Sequence, residues 1–224
     1  MADYDFKRVG AYNADTGKVI NDSFITLRRL SEPDALALSD ERNILFVANL
    51  LGESGTSGTV GKYDANTGDE FDANFIRVGG YPTALAVFRK TLFVAYFFYG
   101  PAPGYAKGSS VGTYNADTGK VINASFITGL SGSDFAALAV SDHHNELIVA
   151  DSSLNTVGVY NATTGLSELT IEGLSRPIGL ALSGDTLFVA EEFGTVIKDV
   201  GVIYSPNFIT ELEEPTAVAV RSEQ

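Results

Sequence analysis

One stretch of 18 residues recurs almost letter for letter, and it limits what this chain can fold into. The copy at Val9 reads VGAYNADTGKVINDSFIT, and the copy at Val111 reads VGTYNADTGKVINASFIT. Looser copies begin at Val60 and Val157, so consecutive copies start 51, 51 and 46 residues apart. Self-similarity at such a period is typical of solenoids, propellers and arrays, in which each copy is one supersecondary unit.

Each copy predicts a β-hairpin. In the first copy, apolar residues around Val9 and Tyr12 lead into the turn sequence NADTG, and a second apolar run ends near Phe24. A glycine ends the turn in every copy: Gly17, Gly68, Gly119 and Gly165. We expect a positive φ at these glycines, because a hairpin that closes with a bulge needs a conformation that side chains disfavour.

A second pair of strands is predicted between the hairpins. The phrase PDALAL at Pro33 is followed by a turn and by ILFVA at Ile44, and similar phrases return near Pro82, Phe135 and Pro177. Four strands per unit is typical of the blade of a β-propeller. The first strand of this pair alternates small residues with Leu or Val, so we expect it to lie innermost, near a central axis.

The fifth unit, near 195, has a shortened turn, and the chain ends on one more inner strand at 215–221. Inner strands are therefore predicted near Leu36, Leu85, Leu138, Leu180 and Val218. We predict one all-β domain over 1–224, a β-propeller of five blades of four antiparallel strands, with units beginning near 9, 60, 111, 157 and 195. Pairing the N-terminal outer strands with the C-terminal inner strand closes the ring. Residues 2–6 are a poor match for the strand that this composite blade lacks.

The composition argues against several classes of partner. The formal net charge is −13 and no run of Lys or Arg occurs, so we expect no nucleic-acid partner. No apolar run approaches the roughly 20 residues of a membrane helix, so no membrane insertion is expected. The chain has no Cys and only two His, the adjacent His143 and His144. We interpret this pair as part of a solvated turn, which disfavours a multi-histidine metal site.

The recurring phrase Pro-x-(Gly/Ala)-Leu-Ala-Leu, then Leu-Phe-Val-Ala, then Thr-Val-Gly-x-Tyr, resembles the repeats of NHL-repeat and YVTN-type β-propellers. The likeness covers nearly the whole chain and is strongest to secreted bacterial proteins built from such units. It implies a propeller fold and an extracellular or cell-envelope location, with a cytoplasmic location left open. Propellers of this kind bind proteins, RNA or glycans, and lactonase-type and lyase-type relatives are enzymes. No catalytic residues of those enzymes match positions in this chain.

The longest departure from the repeat is the segment at 96–110, which reads YFFYGPAPGYAKGSS and is predicted to be a loop. Its aromatic residues are Tyr96, Phe97, Phe98, Tyr99 and Tyr105. Exposed aromatic rings offer flat apolar surface to sugars, peptides or another subunit at low entropic cost. The alternative is that Phe97 and Tyr99 fold under and plug the mouth of the central channel.

Polar side chains follow the second strand of the other blades: Asn49, Asp151, Glu191 and Glu192. We expect them to converge near the axis on the face that carries the 96–110 segment. Carboxylates grouped in this way bind calcium, which makes Asp151, Glu191 and Glu192 the candidate metal ligands. The alternative, which local turn preferences favour, is that each side chain only hydrogen-bonds the loop that follows it.

These features support one main hypothesis and two alternatives. The main hypothesis is a non-enzymatic, monomeric recognition propeller that binds a protein, peptide or glycan beside the 96–110 segment, with Asn49, Asp151 and Glu191 as polar anchors. One alternative is a metal-assisted hydrolase or lyase that acts through central carboxylates, although no general base is evident. The other is a structural or surface module without a small ligand. No cofactor is predicted, and calcium is the one ion that the acidic residues leave open.

Overall fold

The computed structural model describes residues 1–3, 5–28, 31–51, 57–99, 106–131, 135–192, 195–200 and 203–209. These residues form 19 strands and one 3-10 turn at Asp40–Arg42. The strands are β1 (Ala2–Asp3), β2 (Arg8–Tyr12), β3 (Val19–Thr26), β4 (Pro33–Ser39), β5 (Ile44–Asn49), β6 (Thr59–Asp64), β7 (Glu70–Arg77), β8 (Tyr81–Phe88), β9 (Thr91–Tyr99), β10 (Ala106–Asn115), β11 (Val121–Leu130), β12 (Phe135–Ser141), β13 (Glu146–Asp151), β14 (Thr156–Asn161), β15 (Ser167–Ile171), β16 (Pro177–Ser183), β17 (Thr186–Glu191), β18 (Thr195–Val200) and β19 (Ile203–Ile209).

The strands pair in sequence order into five antiparallel sheets. Sheet 1 contains β1–β3, sheet 2 β4–β7, sheet 3 β8–β11, sheet 4 β12–β15 and sheet 5 β16–β19. The all-β class is therefore confirmed, as are the four-stranded units; the first four strands predicted to lie innermost are present as β4, β8, β12 and β16, each at one edge of its sheet. The fifth predicted inner strand, at 215–221, lies outside the described residues. The chain divides into two compact units, 1–125 and 126–224.

The N-terminus corrects one expectation, because Ala2–Asp3 does pair with β2. Ala2 lies opposite Val9 and Asp3 opposite Arg8. The amino group of Met1 donates to the Gly10 carbonyl at 2.7 Å, and the Gly10 amide donates back to Met1 at 2.9 Å. The Asp3 carboxylate also accepts a hydrogen bond from the Arg8 guanidinium at 3.3 Å. Backbone pairing and this ion pair fix a short strand that carries almost no apolar pattern.

The hairpin turns close as predicted. In the first turn, Asn13 Oδ1 accepts the backbone amides of Asp15 and Thr16 at 3.1 and 2.8 Å. Asp64 makes the same contacts in sheet 2 with Asn66 and Thr67 at 2.8 and 2.9 Å, and these amides lower the pKa of its carboxyl. The turn glycines have positive φ: Gly17 at 67°, Gly68 at 78°, Gly119 at 69° and Gly165 at 74°. The Asn or Asp side chain thus replaces missing backbone partners inside the turn.

Side-chain packing explains why glycine precedes tyrosine by two residues in the repeated Val-Gly-x-Tyr sequence. The tyrosine points to the same face as the glycine two residues earlier, and its ring lies back across that glycine. An added Cβ would lie 2.6 Å from the ring of Tyr63 at Gly61 and 2.6 Å from the ring of Tyr160 at Gly158. Each repeat therefore needs glycine at this position for the tyrosine ring to pack there.

Neighbouring sheets meet through a phenylalanine in the outermost strand. The pairs are Phe24 with Gly68, Phe75 with Gly119, and Phe126 with Gly165. In each pair the phenylalanine carbonyl lies too close to the turn glycine of the next sheet for that glycine to carry a side chain. A Cβ added at Gly165 would lie 2.6 Å from the Phe126 carbonyl oxygen. Gly68, Gly119 and Gly165 therefore serve sheet-to-sheet packing as well as hairpin closure.

Candidate functional site

The aromatic segment at 96–110 is mostly strand, which corrects its assignment as a loop. Strand β9 continues to Tyr99 and β10 starts at Ala106, with Phe97 opposite Ser109 and Tyr96 opposite Ser110. Tyr96 and Phe97 are 8% and 6% exposed. Their rings therefore belong to the interior and are not the exposed stacking surface that the sequence suggested.

Specific contacts hold these aromatic side chains. The Tyr96 hydroxyl donates to the Ala124 carbonyl at 2.6 Å, and burial raises the pKa of this phenol. Phe97 stacks on Tyr81 with ring centroids 5.2 Å apart, and Phe98 packs against the core cluster of its unit. The side chain of Tyr99 and the whole of Tyr105 lie outside the described residues. Burial therefore removes Tyr96 and Phe97 from the predicted surface site, Phe98 is partly buried, and Tyr99 and Tyr105 stay predictions.

Two of the polar residues that follow the second strands, Asp151 and Glu191, accept hydrogen bonds from backbone amides. Asp151 is buried, and its carboxylate accepts the amides of Ser131, Ser153 and Leu154 at 3.0 to 3.1 Å. Glu191 is likewise buried and accepts the Ser175 amide.

Asn49 and Glu192 complete the predicted polar set. Asn49 is buried and ends β5, whereas Glu192 forms an ion pair with Arg176. Among the described residues, no group of three or more His, Asp or Glu side chains is arranged to hold a metal ion. Calcium at Asp151, Glu191 and Glu192 stays a prediction. Asp151 makes the contact with its following loop that the alternative expects, whereas Glu191 and Glu192 contact Ser175 and Arg176, which precede them in the chain.

Asp151 also lines a small pocket of about 270 Å³ in the second unit. Tyr160 and Glu172 lie on its other walls. Burial, and to a lesser degree the nearby Asp151 carboxylate, raises the pKa of the Tyr160 hydroxyl. The Tyr160 phenol stays neutral, and the Asp151 carboxylate already accepts hydrogen bonds from the protein. These two groups therefore offer a ligand few additional polar contacts.

The larger concave site is a groove between sheets 4 and 5, which we call the D-groove. It has a volume of about 340 Å³ and lies entirely within the second unit. Its apolar wall consists of Ile148, Val159, Leu169, Ile171, Leu182 and Leu187, and its polar rim of Ser141, His144, Glu146, Glu168 and Asp185. Ile148, Val159 and Leu187 belong to the core cluster of this unit, so the groove opens directly onto the core.

A shortened strand explains why the D-groove exists. In sheet 2, β7 pairs Ile76 with Val60 and Asp72 with Lys62, so two extra residues bulge out between these pairs. In sheet 4, β15 pairs Ile171 with Val157 and Leu169 with Val159, and the bulge is absent. The bulge in β7 carries Phe75. Sheet 4 therefore has no counterpart of the phenylalanine that packs toward the next sheet.

In the first unit, the equivalent space is filled. Phe75 packs against the core cluster, its ring centroid 5.9 Å from that of Phe46. The Lys62 ammonium lies 4.7 Å from the centroid of the same ring. By register, Ile148 and Val159 are the sheet 4 counterparts of Phe46 and Lys62. Two walls of the D-groove are thus the residues that would contact a phenylalanine if sheet 4 had one.

The connection between the last two strands is shorter in sheet 5 than in sheet 3. In sheet 3, β10 and β11 are joined by a turn that includes Ala116 and Asp117, whose carbonyls accept hydrogen bonds from Lys62 at 3.4 and 3.2 Å. In sheet 5, β18 and β19 pair as far as Val200 with Ile203, which leaves only two residues between them. The missing bulge in β15 is therefore the described feature that leaves the groove unfilled.

The charge at the rim is opposite to that of the filled site. Arg42, Lys62 and Lys90 surround the filled site and are balanced by Asp117, which lies 3.4 Å from Arg42 and 4.0 Å from Lys90. In the D-groove the rim contains His144, Glu146, Glu168 and Asp185, and no Lys or Arg among the described residues lines it. The D-groove therefore has apolar walls and an acidic rim.

His144 bridges the two sheets at the mouth of the groove. Its Nε2 lies 2.8 Å from Asp185 Oδ1, and both side chains are exposed. The hydrogen bond with Asp185 raises the pKa of His144, and the charges of Asp185 and Glu146 add to this effect. The sequence interpretation as a solvated turn is correct for exposure, but it missed this partner.

One further carboxyl has a shifted pKa. Asp34, near the start of β4, keeps an exposed surface, but the surrounding protein desolvates it and raises its pKa to about 6. Groups that titrate near neutrality are enriched at functional sites. Asp34 lies in the first unit, so it is not part of the D-groove.

A signal for the D-groove was present in the sequence. Three hairpins end in (Asn/Asp)-x-(Ser/Asn)-Phe-Ile, with the phenylalanine at Phe24, Phe75 and Phe126. The fourth hairpin ends in ELTI and has no phenylalanine. Alignment of the four copies reveals this loss, but only the pairing of strands shows that it opens a cavity.

Comparison with known proteins indicates the fold and nothing more. No protein-family model matches this sequence, and no curated protein matches it. Among solved structures, the chain is similar to the computationally designed Ika4 protein, with a TM-score of 0.52 and 21% identity over 77% of this chain and 92% of that one. It is also similar to the computationally designed Ika8 protein, with a TM-score of 0.57 and 19% identity over 99% of this chain and 74% of that one. Within the described residues, no helix is long and apolar enough to cross a membrane.

Proposed function

We propose that this chain is a non-enzymatic recognition β-propeller of the NHL or YVTN type, and that it binds its ligand in the D-groove. The observation that carries the proposal is an apolar cavity at the one place where the phenylalanine of the repeat is missing. Its 340 Å³ lies at the lower end of the range usual for ligand pockets, which combine apolar walls with a few polar groups at the edge.

The propeller part of the proposal is supported by the repeat and by the sheets. Sequential antiparallel sheets of four strands, joined from the outermost strand of one to the innermost strand of the next, are the units from which propellers are built. Closure through residues 215–221 belongs to the same proposal. Hydrogen exchange tests this closure, because a backbone amide of Val218 that pairs with β1 is protected from exchange.

The binding part is tested with a minimal aromatic probe. Titration with N-acetyl-phenylalaninamide, followed by methyl NMR, should produce saturable shifts at Ile148, Val159 and Leu182. N-acetyl-alaninamide is the control and should leave these methyls unchanged. The methyl of Ile76, beside the filled site of sheet 2, should not respond because Phe75 already occupies that space. Absence of saturable shifts in the D-groove, with this probe and with the peptides described below, would show that the groove is not a binding site.

A further inference from the structure

We propose that the D-groove binds an extended peptide segment of another protein that presents a phenylalanine or similar aromatic side chain flanked by lysine or arginine. This inference rests on the proposed binding function and specifies the ligand. It follows from the shape of the groove, from the residue that fills the same place in the first unit, and from the charge at the rim.

The first step concerns size and shape. A cavity of about 150 Å³ holds a benzene ring. The D-groove, at about 340 Å³, therefore accommodates a phenyl ring together with the backbone that carries it. Its walls are aliphatic, and Ile148, Val159 and Leu187 are at most 8% exposed. Burying an aromatic side chain against these walls removes apolar surface from water, which favours binding.

The second step uses the molecule's own filled site. Phe75 occupies the equivalent space between the sheets, where it contacts Phe46 and lies under the Lys62 ammonium. An aromatic ring beside a cationic side chain is thus the chemistry that this architecture already accepts at that place. In the D-groove, both the phenylalanine and the lysine have been lost from the chain, so a ligand can supply both.

The third step is charge complementarity. Glu146 stands where sheet 2 has Ile44, and Asp185 stands where sheet 3 has Lys90. Glu168 adds a third carboxylate at the rim, and His144 is the one basic group there among the described residues. A basic peptide places its cations at these carboxylates while its aromatic ring enters the slot. The net charge of −13 also disfavours a second copy of this chain as the occupant.

Three acetylated pentapeptide amides test the proposal by calorimetry: KKFKK, KKAKK and EEFEE. We expect KKFKK to bind with one-to-one stoichiometry and the other two to bind at least tenfold more weakly. Equal binding of EEFEE would overturn the charge requirement while leaving the proposed binding function intact. Equal binding of KKAKK would mean nonspecific attraction to an acidic protein and would overturn the aromatic requirement. If none of the three binds and the minimal aromatic probe also fails, the proposed function itself is wrong.

Rim variants locate the charge effect. Glu146→Gln and Asp185→Asn should each weaken KKFKK about two- to fivefold, the range for an exposed charge pair, and together more strongly. Asp72→Asn is the matched control, because it removes one charge from the surface of sheet 2 and introduces the residue found at the equivalent positions Asn21 and Asn123. Equal weakening by the control variant would contradict a site at the D-groove.

A graft tests the slot directly. Replacing Leu169-Thr170-Ile171 by DANFI, the sequence of β7 at 72–76, restores the bulge and its phenylalanine. The graft should abolish KKFKK binding because the ring fills the groove. Leu169→Trp offers a second variant that does not alter strand length, and the exposed position of Leu169 favours its folding. Undiminished binding of KKFKK to a folded form of either variant would overturn the proposal.

Discussion

Two constraints act on the glycines that end the hairpin turns: the backbone conformation of the turn and the packing between sheets. Comparison of Gly17 with Gly68 distinguishes the two. Gly17 and Gly68 both have positive φ, at 67° and 78°. A Cβ at Gly68 would collide with the backbone carbonyl of Phe24, whereas a Cβ at Gly17 would meet no described atom within 4 Å. Backbone conformation therefore constrains both glycines, whereas packing against a neighbouring sheet constrains Gly68 and, among the described residues, does not constrain Gly17.

This difference predicts unequal costs for one substitution. Gly17→Ala should lower the free energy of unfolding by about 1 kcal/mol, the usual penalty for a side chain at positive φ. Gly68→Ala should cost a further 1–3 kcal/mol or so, because a backbone carbonyl must move. Urea denaturation of both variants measures the two values. Equal costs would show that the Phe24 contact is easily relaxed.

His144 provides a prediction about pH. Because Asp185 raises the pKa of the folded histidine, His144 should titrate at higher pH than in the Asp185→Asn variant, and at higher pH than an unfolded reference. The pair stabilises the fold fully below the unfolded pKa, and this contribution is lost as the pH rises through the folded pKa. NMR titration of the His144 imidazole protons, in the parent protein and in Asp185→Asn, tests the shift. Identical titration of His144 with and without Asp185 would refute the bridge.

At the scale of single elements, β9 shows how far tertiary contacts extend a strand. Its last residues read as loop from sequence, since a run of aromatics leads into prolines and glycines. In the fold, β10 continues to pair with them as far as Tyr99, and Tyr81 and Ala124 supply partners for Phe97 and Tyr96. These partners lie 16 and 28 residues away along the chain.

Phe97→Ala should therefore behave as a core truncation. We expect a loss of about 3–5 kcal/mol in the free energy of unfolding, the range for removing a buried phenylalanine. Phe71→Ala is the matched control, since Phe71 also lies in a strand but is 58% exposed, and it should cost little. Chemical denaturation of the two variants provides the comparison. If Phe97→Ala leaves the free energy of unfolding nearly unchanged, Phe97 is a surface residue and its assignment to the core is wrong.

The element β15 provides the converse case, a strand that is shorter than its counterparts. The DANFI graft should raise the free energy of unfolding by about 1–2 kcal/mol, because a phenyl ring then covers Ile148 and Val159, as Phe75 does for its own cluster. Thermal unfolding of the graft beside the parent protein measures this gain. A destabilised graft would indicate that sheet 5, with its shorter turn, no longer accepts the bulge.

At the scale of the whole molecule, the net negative charge suggests that a cation could bind. The carboxylates proposed as its ligands, however, already contact other groups of the protein. Asp151 already accepts three backbone amides, Glu191 accepts the Ser175 amide and Glu192 pairs with Arg176. Thermal unfolding in EDTA and in millimolar calcium should therefore give the same midpoint. A ligand at a hundred times its dissociation constant would stabilise the fold by about 2.7 kcal/mol, which such a scan detects. A clear rise with calcium would restore the metal site and the enzymatic alternative.

Much of the architecture could be predicted because its signals are local and repeated. The turn glycines, the Asn and Asp side chains that close the hairpins, and the alternation in β4 and β16 each act within a few residues. Because each signal recurs in several copies along the chain, the copies together support a prediction that one copy alone would not. The strand at Ala2–Asp3 escaped prediction because backbone pairing with β2, and no pattern of its own, holds it in place.

The candidate site was harder to predict, because burial is a property of neighbours. The sequence by itself determined the hairpins, the first strand of each four-stranded sheet, the order of pairing within each sheet and the loss of one phenylalanine from the fourth hairpin. Only the tertiary structure decided that Tyr96 and Phe97 are enclosed while the place of the missing phenylalanine is open. The physical reason is that backbone preferences act along the chain, whereas a cavity depends on which side chains from separate sheets meet across it.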